Sequence, residues 1–362
     1  MNKKALIAMS GGVDSSVAAA MMQEQGYDCI GVTMKLHESE EEVRREKACC
    51  TQEDAEDARQ VAYSLGMKFY VFNYTREFSA QVIDRFVDAY EKGYTPNPCI
   101  DCNRYMKFAR LYEQGRLLGY DTIATGHYAR VEQDAVTGKW KLKKARFLPK
   151  DQSYVLYFLT QEQLAHTRFP LGEVESKEAA RQYAEAHGFY NARKHDSQDI
   201  CFVEDGKYAD FIRQRTGRDY AAGDFVDTAG QVLGRHKGLI GYTVGQRKGL
   251  GLALPAPLYV LKKDMAQNRV VLAPETALYS AALLAEDVNW ISGEIPAAPV
   301  RAAARTRYSA REAAATLVPL EDNRVRVVFD QPQRAITPGQ AVVFYAGDEV
   351  LGGGTIVRAE KE

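Results

Sequence analysis

Long apolar stretches are missing from this sequence of 362 residues, although 46% of them are hydrophobic. No run reaches the roughly 18 residues that a membrane-spanning helix needs. The N-terminal Met-Asn-Lys-Lys leads directly into a short apolar run, and no segment is typical of a secretory signal. The net charge is only −1, which excludes a polycation that binds nucleic acid over its whole surface. We therefore expect a cytoplasmic protein of two or three domains that does not use a membrane.

Cysteine is also scarce, and the six residues are spread widely: Cys29, Cys49, Cys50, Cys99, Cys102 and Cys201. A disulfide framework is not expected in a cytosolic chain of this size. Cys29 lies in an apolar strand pattern and is predicted to belong to the core. Cys99 and Cys102 have the Cys-x-x-Cys spacing of redox and metal sites.

Cys201 stands alone, and we predict that it lies at the end of a short apolar strand, beside Lys194 and His195. Positive charge nearby would stabilise a reactive thiolate. A buried, inert cysteine is the alternative interpretation of this stretch.

A glycine turn lies between a short apolar run and an Ala-rich, helix-favouring run, and it has the sequence Ala8-Met9-Ser10-Gly11-Gly12-Val13-Asp14-Ser15-Ser16. A glycine turn that leads into a helix N-terminus forms a phosphate site, because backbone N–H groups and the helix dipole favour an anion. Asp14 is unusual beside an anion unless it binds Mg²⁺ or orients a nucleotide.

No lysine follows these glycines, so the turn is not a Walker sequence. The pattern S-G-G-x-D-S resembles the PP-loop of ATP pyrophosphatases, enzymes that cleave ATP between the α- and β-phosphates. A tight glycine turn with a capping side chain is the structural alternative.

Strands alternate with helices in the first part of the chain, which predicts an α/β domain with a parallel sheet over residues 1–205. Ligands of such sheets lie at the carboxyl ends of the strands, where Met34 and Gly126 fall. A small central α+β domain is predicted for 206–277. Short alternating strands predict an antiparallel β-barrel for 278–362.

A loop rich in proline and asparagine, 94–103, precedes a helix predicted from about Arg104. Cys102 would then lie near the helix N-terminus, where the pKa of a thiol is lowered. His127 follows the fourth strand and would contact phosphate or base, unless it is a buried structural histidine.

Two segments are basic and contain no acidic residue, 139–150 and 301–311. Such segments are candidates for contact with nucleic acid, and the alternative is an ordinary solvated face.

Seven short motifs follow one another along the whole chain, in this order: A-M-S-G-G-V-D-S-S, N-P-C-I-D-C-N, A-T-G-H-Y-A, K-D-Q-S-Y, S-Q-D-I-C-F, R-T-R-Y and T-P-G-Q-A-V-V-F-Y. In these motifs the sequence resembles the bacterial tRNA-specific 2-thiouridylases, which thiolate the wobble uridine of certain tRNAs. The resemblance implies ATP with Mg²⁺, a tRNA anticodon stem-loop as substrate, and a cysteine desulfurase or sulfur-relay protein as sulfur donor.

The resemblance also assigns roles to residues. It implies that ATP is bound by Ala8, Met9, Ser10, Gly11, Gly12, Val13, Asp14, Ser15, Met34 and Gly126. Cys102 and Cys201 would be the catalytic pair, with a persulfide on Cys201 and a Cys102–Cys201 disulfide left after transfer. The target base would face Asn97, Pro98 and Cys99. The residues implied to contact tRNA are His127, Lys150, Asp151, Gln152, Ser153, Arg307, Tyr308 and Gln340.

One residue departs from the family pattern, since many members carry Asp at the position of Cys99. Cys99, Cys102 and Cys201 could therefore converge and hold a [4Fe–4S] cluster with one open iron that carries the sulfur. Persulfide transfer is our leading hypothesis, the cluster is the alternative, and a structural zinc site comes third.

Two other functions remain open at the level of the sequence. A PP-loop synthetase acting on a small metabolite would need neither Cys102 nor Cys201. A non-catalytic RNA-binding protein would bind tRNA without consuming ATP, although the intact S-G-G-V-D-S disfavours it.

Overall fold

The computed structural model describes residues 3–37, 52–194, 200–203 and 206–361. Strands and helices alternate in its N-terminal part in the order β1 (Lys4–Ala8), α1 (Val13–Glu24), β2 (Asp28–Lys35), α2 (Gln52–Ser64), β3 (Lys68–Asn73), α3 (75–91), α4 (98–117) and β4 (Thr122–Thr125). The hairpin β5 (Ala129–Gln133) and β6 (Trp140–Lys144) follows, and then α5 (Gln161–Ala165), β7 (Thr167–Arg168) and α6 (Lys177–Ala186).

Five of these strands form a parallel sheet in the order β3-β2-β1-β4-β7, which confirms the predicted α/β fold. The chain runs outward from β1 through β2 and β3 and then returns to the other side of β1. Ala8 and Thr125, the last residues of β1 and β4, are register partners. The strand order therefore reverses at β1, and ligands of open parallel sheets bind outside the carboxyl ends of the strands at such a point.

Both long helices contain π-helical segments. In α3 the segment is Ser79–Ile83, and in α4 it is Cys102–Leu111. The helix α4 begins at Pro98, because the Asn97 side chain accepts a hydrogen bond from the Cys99 amide at 3.1 Å and Pro98 occupies the first helical position. The expected start near Arg104 is wrong, and the second half of the 94–103 loop is helical.

The central part is a small α+β unit, in agreement with the prediction. It contains α7 (Tyr208–Thr216), β8 (Gly223–Val226), β9 (Val232–His236), β10 (Tyr259–Asp264) and β11 (Arg269–Ala273). The four strands form a mixed sheet, β10-β11-β8-β9, in which β11 and β8 are parallel. Phe225, Val260 and Val270 are fully buried in its core.

The C-terminal part confirms the predicted antiparallel barrel. Its strands are β12 (Tyr279–Trp290), β13 (Val300–Arg305), β14 (Ala313–Leu320), β15 (Arg324–Arg334), β16 (Ala341–Ala346) and β17 (Glu349–Glu360). They follow the order β12-β15-β14-β13-β16-β17, and pairing of β12 with β17 closes the barrel. Alternate side chains such as Leu283, Leu317 and Phe344 fill the interior.

The hairpin β5–β6 extends the sheet of the barrel rather than the parallel sheet. Leu142 and Lys143 of β6 pair with Val350 and Glu349 of β17. One apolar cluster also joins the three parts of the chain, since Phe86, Ile240 and Val343 belong to it together. In the described ranges, no helix is long and apolar enough to cross a membrane.

Candidate nucleotide and sulfur-transfer site

The glycine turn between β1 and α1 has the geometry of an anion site. Gly11 has a φ of +74°, and a Cβ atom added there would lie 2.3 Å from the Asp54 carbonyl oxygen. Within the described ranges, no side chain caps the N-terminus of α1 at Gly12. The first amides of this helix therefore remain open to an anionic ligand.

The serines of the turn shape it from within. Ser15 and Ser16 are buried, and their hydroxyl groups donate to the Gly12 carbonyl oxygen at 2.9 and 3.2 Å. The Ser10 amide donates to Ser15 Oγ at 3.2 Å. These bonds hold the turn in one conformation before any ligand binds.

Gly126 brings the end of β4 against this turn. A Cβ atom at Gly126 would lie 2.7 Å from the Ser15 nitrogen, so a larger residue would push the strand away from α1. This close approach explains the need for glycine that the sequence suggested.

A cavity of about 280 Å³ lies at the reversal of strand order. The residues implied to bind ATP that line it are Ala8, Met9, Ser10, Gly12, Val13, Asp14, Ser15, Met34 and Gly126. Gly11 supports the cavity from behind, where its backbone packs on Asp54. Cys102, His127, Lys150 and Gln152 line the same cavity, so residues from four distant motifs meet there.

Asp14 is paired with a cation that the sequence did not reveal. Lys177 Nζ lies 2.8 Å from both carboxylate oxygens of Asp14, and the Tyr128 hydroxyl donates to one of them at 2.9 Å. The ion pair offsets the negative charge of Asp14 beside the anion site. It also occupies the oxygens that a bound Mg²⁺ would need.

Two residues of the segment before Cys201 reach the nucleotide side, and of these Asn191 was missed because it belongs to no motif. The buried Asn191 donates through Nδ2 to the Gly11 carbonyl oxygen at 2.9 Å and to Ser16 Oγ at 3.0 Å. Lys194 Nζ lies 2.7 Å from Asp54 Oδ1 and 2.5 Å from Asp57 Oδ2. Both contacts attach the segment before Cys201 to the nucleotide side.

Lys194 was expected to supply positive charge to Cys201, but its ammonium group is engaged with these two carboxylates. His195 lies outside the described residues. Cys201 belongs to a turn over 200–203, so the expected strand end is wrong.

The two candidate catalytic cysteines are both partly buried against the same apolar cluster. Cys102 is the fifth residue of α4 and lies in its π-helical segment, while the exposed Cys99 occupies the first turn. Cys102 therefore lies in the second turn of α4 and not near its N-terminus as expected. Cys102 and Cys201 are not joined by a disulfide.

The [4Fe–4S] alternative requires three converging thiols. Within the described ranges, no group of three or more His, Cys, Asp or Glu side chains is placed to hold a metal ion. Cys99, Cys102 and Cys201 therefore do not fit a cluster in this conformation, and the same observation applies to a structural zinc.

Comparison with known proteins divides the chain into the same three parts as the fold. A family model described as "tRNA methyl transferase HUP domain" matches residues 3–205, one described as "tRNA methyl transferase PRC-barrel domain" matches 209–274, and one described as "Aminomethyltransferase beta-barrel domain" matches 280–356. A relative in Acetivibrio thermocellus, named tRNA-specific 2-thiouridylase, is 51% identical over 98% of this chain and 99% of its own length. Relatives of the same name in Clostridioides difficile and Symbiobacterium thermophilum are 48% and 49% identical, over 99% of this chain and 99% and 93% of theirs. The chain belongs to the tRNA-specific 2-thiouridylase family.

The residues that this family suggests for tRNA contact do not all line the cavity, unlike most of those on the nucleotide side. Lys150 and Gln152 line the cavity, whereas Asp151 and Ser153 are buried between them. The Asp151 carboxylate accepts hydrogen bonds from the Ala145 amide at 3.0 Å and from the Ser153 hydroxyl at 2.8 Å. Burial raises the pKa of Asp151, although these bonds oppose the shift. Within this family motif, contact with RNA would fall to Lys150 and Gln152.

Arg307 and Gln340 make contacts between parts of the chain. Arg307 Nη2 donates to the carbonyl oxygens of Val244 at 3.0 Å and Ala335 at 2.9 Å, and it also contacts the Thr337 hydroxyl. Gln340 Nε2 donates to the Thr95 carbonyl oxygen at 2.6 Å, just before Asn97. Their assignment to tRNA stays a prediction.

Two other members of the set differ in exposure. Tyr308 is 42% exposed and its hydroxyl donates to the Asp151 carbonyl oxygen at 3.2 Å. His127 is buried between Phe108 and Phe169, and its Nδ1 lies 2.7 Å from the Thr125 hydroxyl. Burial and then the charge of Lys107 lower the pKa of His127 well below its usual range, so the imidazole is neutral at pH 7.

Proposed function

We propose that this chain is an ATP-dependent tRNA 2-thiouridylase that converts the anticodon wobble uridine to 2-thiouridine in the cytoplasm. The observation that carries the proposal is one cavity whose walls contain both the open N-terminus of α1 and Cys102. An ATP pyrophosphatase turn activates an oxygen, and a thiol beside it serves a substitution by sulfur.

The first step would activate the base. The uracil O2 attacks the α-phosphorus of ATP, the bond to the β-phosphate oxygen breaks, and its electron pair leaves with pyrophosphate. The proton on N3 is lost to water as the base takes its imidate form. The open amides of α1 and the glycine backbone stabilise the phosphate charge during this step.

The second step would bring sulfur to C2. The terminal sulfur of a Cys201 persulfide attacks C2 and AMP leaves. The Cys102 thiolate then attacks the Cys201 sulfur, which releases 2-thiouridine and leaves a Cys102–Cys201 disulfide for an external dithiol to reduce. The sulfur reaches Cys201 from a cysteine desulfurase or a sulfur-relay protein.

Magnesium would arrive on the triphosphate of ATP rather than in a site of its own. Asp14 is engaged with Lys177, and the described residues offer no group of three ligands. In this proposal residues 1–205 carry the chemistry, 206–277 join the two ends, and 278–362 hold tRNA. The target base faces Asn97, Pro98 and Cys99.

The names of the matching models mention methyl transfer, whereas the relatives are named thiouridylases. Thiolation explains both the pyrophosphatase turn and the thiol on one cavity, while methyl transfer would need neither. We therefore favour thiolation.

The test is thiolation of a tRNA transcript with ATP, Mg²⁺, cysteine and a cysteine desulfurase, followed by nucleoside mass spectrometry and assay of AMP. We expect 2-thiouridine and AMP in equal amounts from the wild type and no 2-thiouridine from Cys102→Ser or Cys201→Ser. Full activity in either variant would exclude the two-thiol mechanism.

Two controls separate the other functions. AMP formation without tRNA would indicate a small-metabolite synthetase, and tRNA binding without ATP consumption would indicate a non-catalytic RNA-binding protein. Activity that requires iron after anaerobic reconstitution would favour the [4Fe–4S] alternative.

A further inference from the structure

Lys107 is a cation on the wall of the nucleotide cavity that no motif singled out. Its side chain is half-buried, and it lines the cavity together with Cys102 and the turn residues Gly12 and Ser15. Over 3–37, 52–194, 200–203 and 206–361, no acceptor or carboxylate pairs with Lys107. An ammonium group that faces a cavity and has no partner among these residues is available for a charge-assisted hydrogen bond to an anionic ligand.

The π-helical segment of α4 accounts for its position. In an α-helix, a residue five positions after Cys102 would be rotated away by roughly 140°. In a π-helix, hydrogen bonds join residues five apart, so Lys107 returns to about the same face as Cys102. The unusual register therefore places an ammonium group and a thiol on one wall.

The other charged groups of the cavity already have partners. Asp14 is paired with Lys177, and Lys194 is paired with Asp54 and with Asp57 behind it. Lys150 also makes contacts within the chain. The buried His127 beside Lys107 is neutral, so it supplies no negative charge. Lys107 is thus the charge on this wall that is best placed for an anionic ligand.

The proposed function indicates which phosphate group of ATP would lie beside Lys107. The α-phosphate becomes bonded to O2 of the base, one atom from the carbon that sulfur attacks. It must therefore lie nearer to the Cys102 wall than the β- and γ-phosphates, which leave as pyrophosphate.

We propose that Lys107 is a catalytic residue that binds the α-phosphate of ATP, opposite the glycine turn. This inference rests on the proposed thiouridylase function, in which the contact between Lys107 and the α-phosphate has two effects. It stabilises the charge on the α-phosphate oxygens while the bond to O2 forms and the bond to the β-phosphate oxygen breaks. It then stabilises AMP as the leaving group when the C2–O2 bond breaks.

Equilibrium binding of ATP, AMP and adenosine to the full chain tests the assignment without relying on turnover. For Lys107→Met we expect ATP and AMP to bind about 10- to 100-fold more weakly, by a similar factor, since both carry the α-phosphate. Adenosine should bind as it does to the wild type, and Lys107→Arg should regain most of the affinity. Arg110→Met, in the same π-helical segment but exposed and paired with Glu113, is the matched control and should bind all three normally.

Three outcomes would overturn the assignment. Weaker binding of ATP alone would place Lys107 at the β- or γ-phosphate, equal weakening of adenosine would indicate a structural role, and unchanged affinity for both ATP and AMP would remove the contact. Thiolation by the wild type, measured in parallel, separates this inference from the proposed function. A wild type that fails to thiolate contradicts the function, whereas one that thiolates while Lys107→Met keeps normal AMP affinity contradicts only Lys107.

Discussion

The nucleotide side of the site and the side assigned to tRNA differ in how many of their polar groups already have partners within the protein. On the nucleotide side, the glycine turn leaves the first amides of α1 open and its residues face one cavity. On the tRNA side, Asp151, Ser153 and Gln340 make hydrogen bonds within the protein. The residues of one contiguous turn hold its amides in a fixed arrangement for a ligand. Polar residues from separate motifs can instead form hydrogen bonds that stabilise the fold.

The basic segments show the same contrast for charge. Over 139–150, acids from elsewhere in the fold pair with most of the cations: Lys139 with Glu294, Lys141 with Asp134, Lys143 with Glu132, Lys144 with Glu312 and Arg146 with Glu175. Arg301 is likewise paired with Asp330. Most cations of the segment 139–150 are therefore already paired with carboxylates in the folded chain.

The strongest test of the nucleotide side is Gly11→Ala. The positive φ and the clash with the Asp54 backbone together should cost about 2–5 kcal/mol and reduce ATP affinity at least ~100-fold. Gly138→Ala is the matched control, because Gly138 has a φ of +69° but no atom within 4 Å of the added Cβ. It should lower stability by only about 1 kcal/mol and leave ATP binding intact. Equal effects of the two variants on ATP binding would contradict this account of the turn.

The next largest effect is expected at the Asp14–Lys177 pair. In Lys177→Met, the Asp14 carboxylate would lose its partner and repel the triphosphate, so the Kd for ATP should rise roughly 10- to 100-fold. The double variant Asp14→Asn with Lys177→Met removes both charges and should recover part of the loss. If the double variant binds ATP no better than Lys177→Met in a titration, the pair does not act through charge.

Arg307 tests the tRNA side. If it contacts RNA phosphate, Arg307→Met should weaken tRNA binding and reduce the salt slope by about 0.7 to 0.9, the value of one phosphate contact. Lys150→Met is the comparison, because Lys150 lines the cavity. A lower melting temperature with an unchanged salt slope for Arg307→Met would assign Arg307 to the junction between the central part and the barrel.

The smallest effect concerns His127. Its pKa is low in the folded protein and ordinary in the unfolded chain, so the unfolded state binds the proton more readily. Its contribution to stability is therefore complete above about pH 6.5 and declines as the pH falls below that value. Thermal unfolding between pH 8 and 5 should show a smaller acid-dependent loss for His127→Gln than for the wild type. Identical pH dependence of the two proteins would contradict the buried neutral state.

The sequence predicted local features better than distant pairings. The order of β1, the turn and α1 follows from residues that are adjacent in the chain, and the parallel sheet follows from alternating apolar patterns. Lys177 and Asn191 could not be predicted, since they reach Asp14 and Gly11 only after the chain has returned to the sheet. The early start of α4 was missed because Asn97-Pro98 was assigned to a loop, although an N-cap followed by proline also begins helices. The π register that turns Lys107 toward Cys102 has no sequence signal that we recognise.

The pairing of β6 with β17 has a consequence for the order of folding. The hairpin 129–144 belongs to the first half of the chain, yet its outer edge stays unpaired until Val350 has been synthesised. A fragment that ends near residue 205 would therefore expose a strand edge open to pairing with other molecules. The hairpin gains its pairing partner only when β17 has been made, so a chain truncated before β17 should aggregate rather than accumulate as an isolated domain.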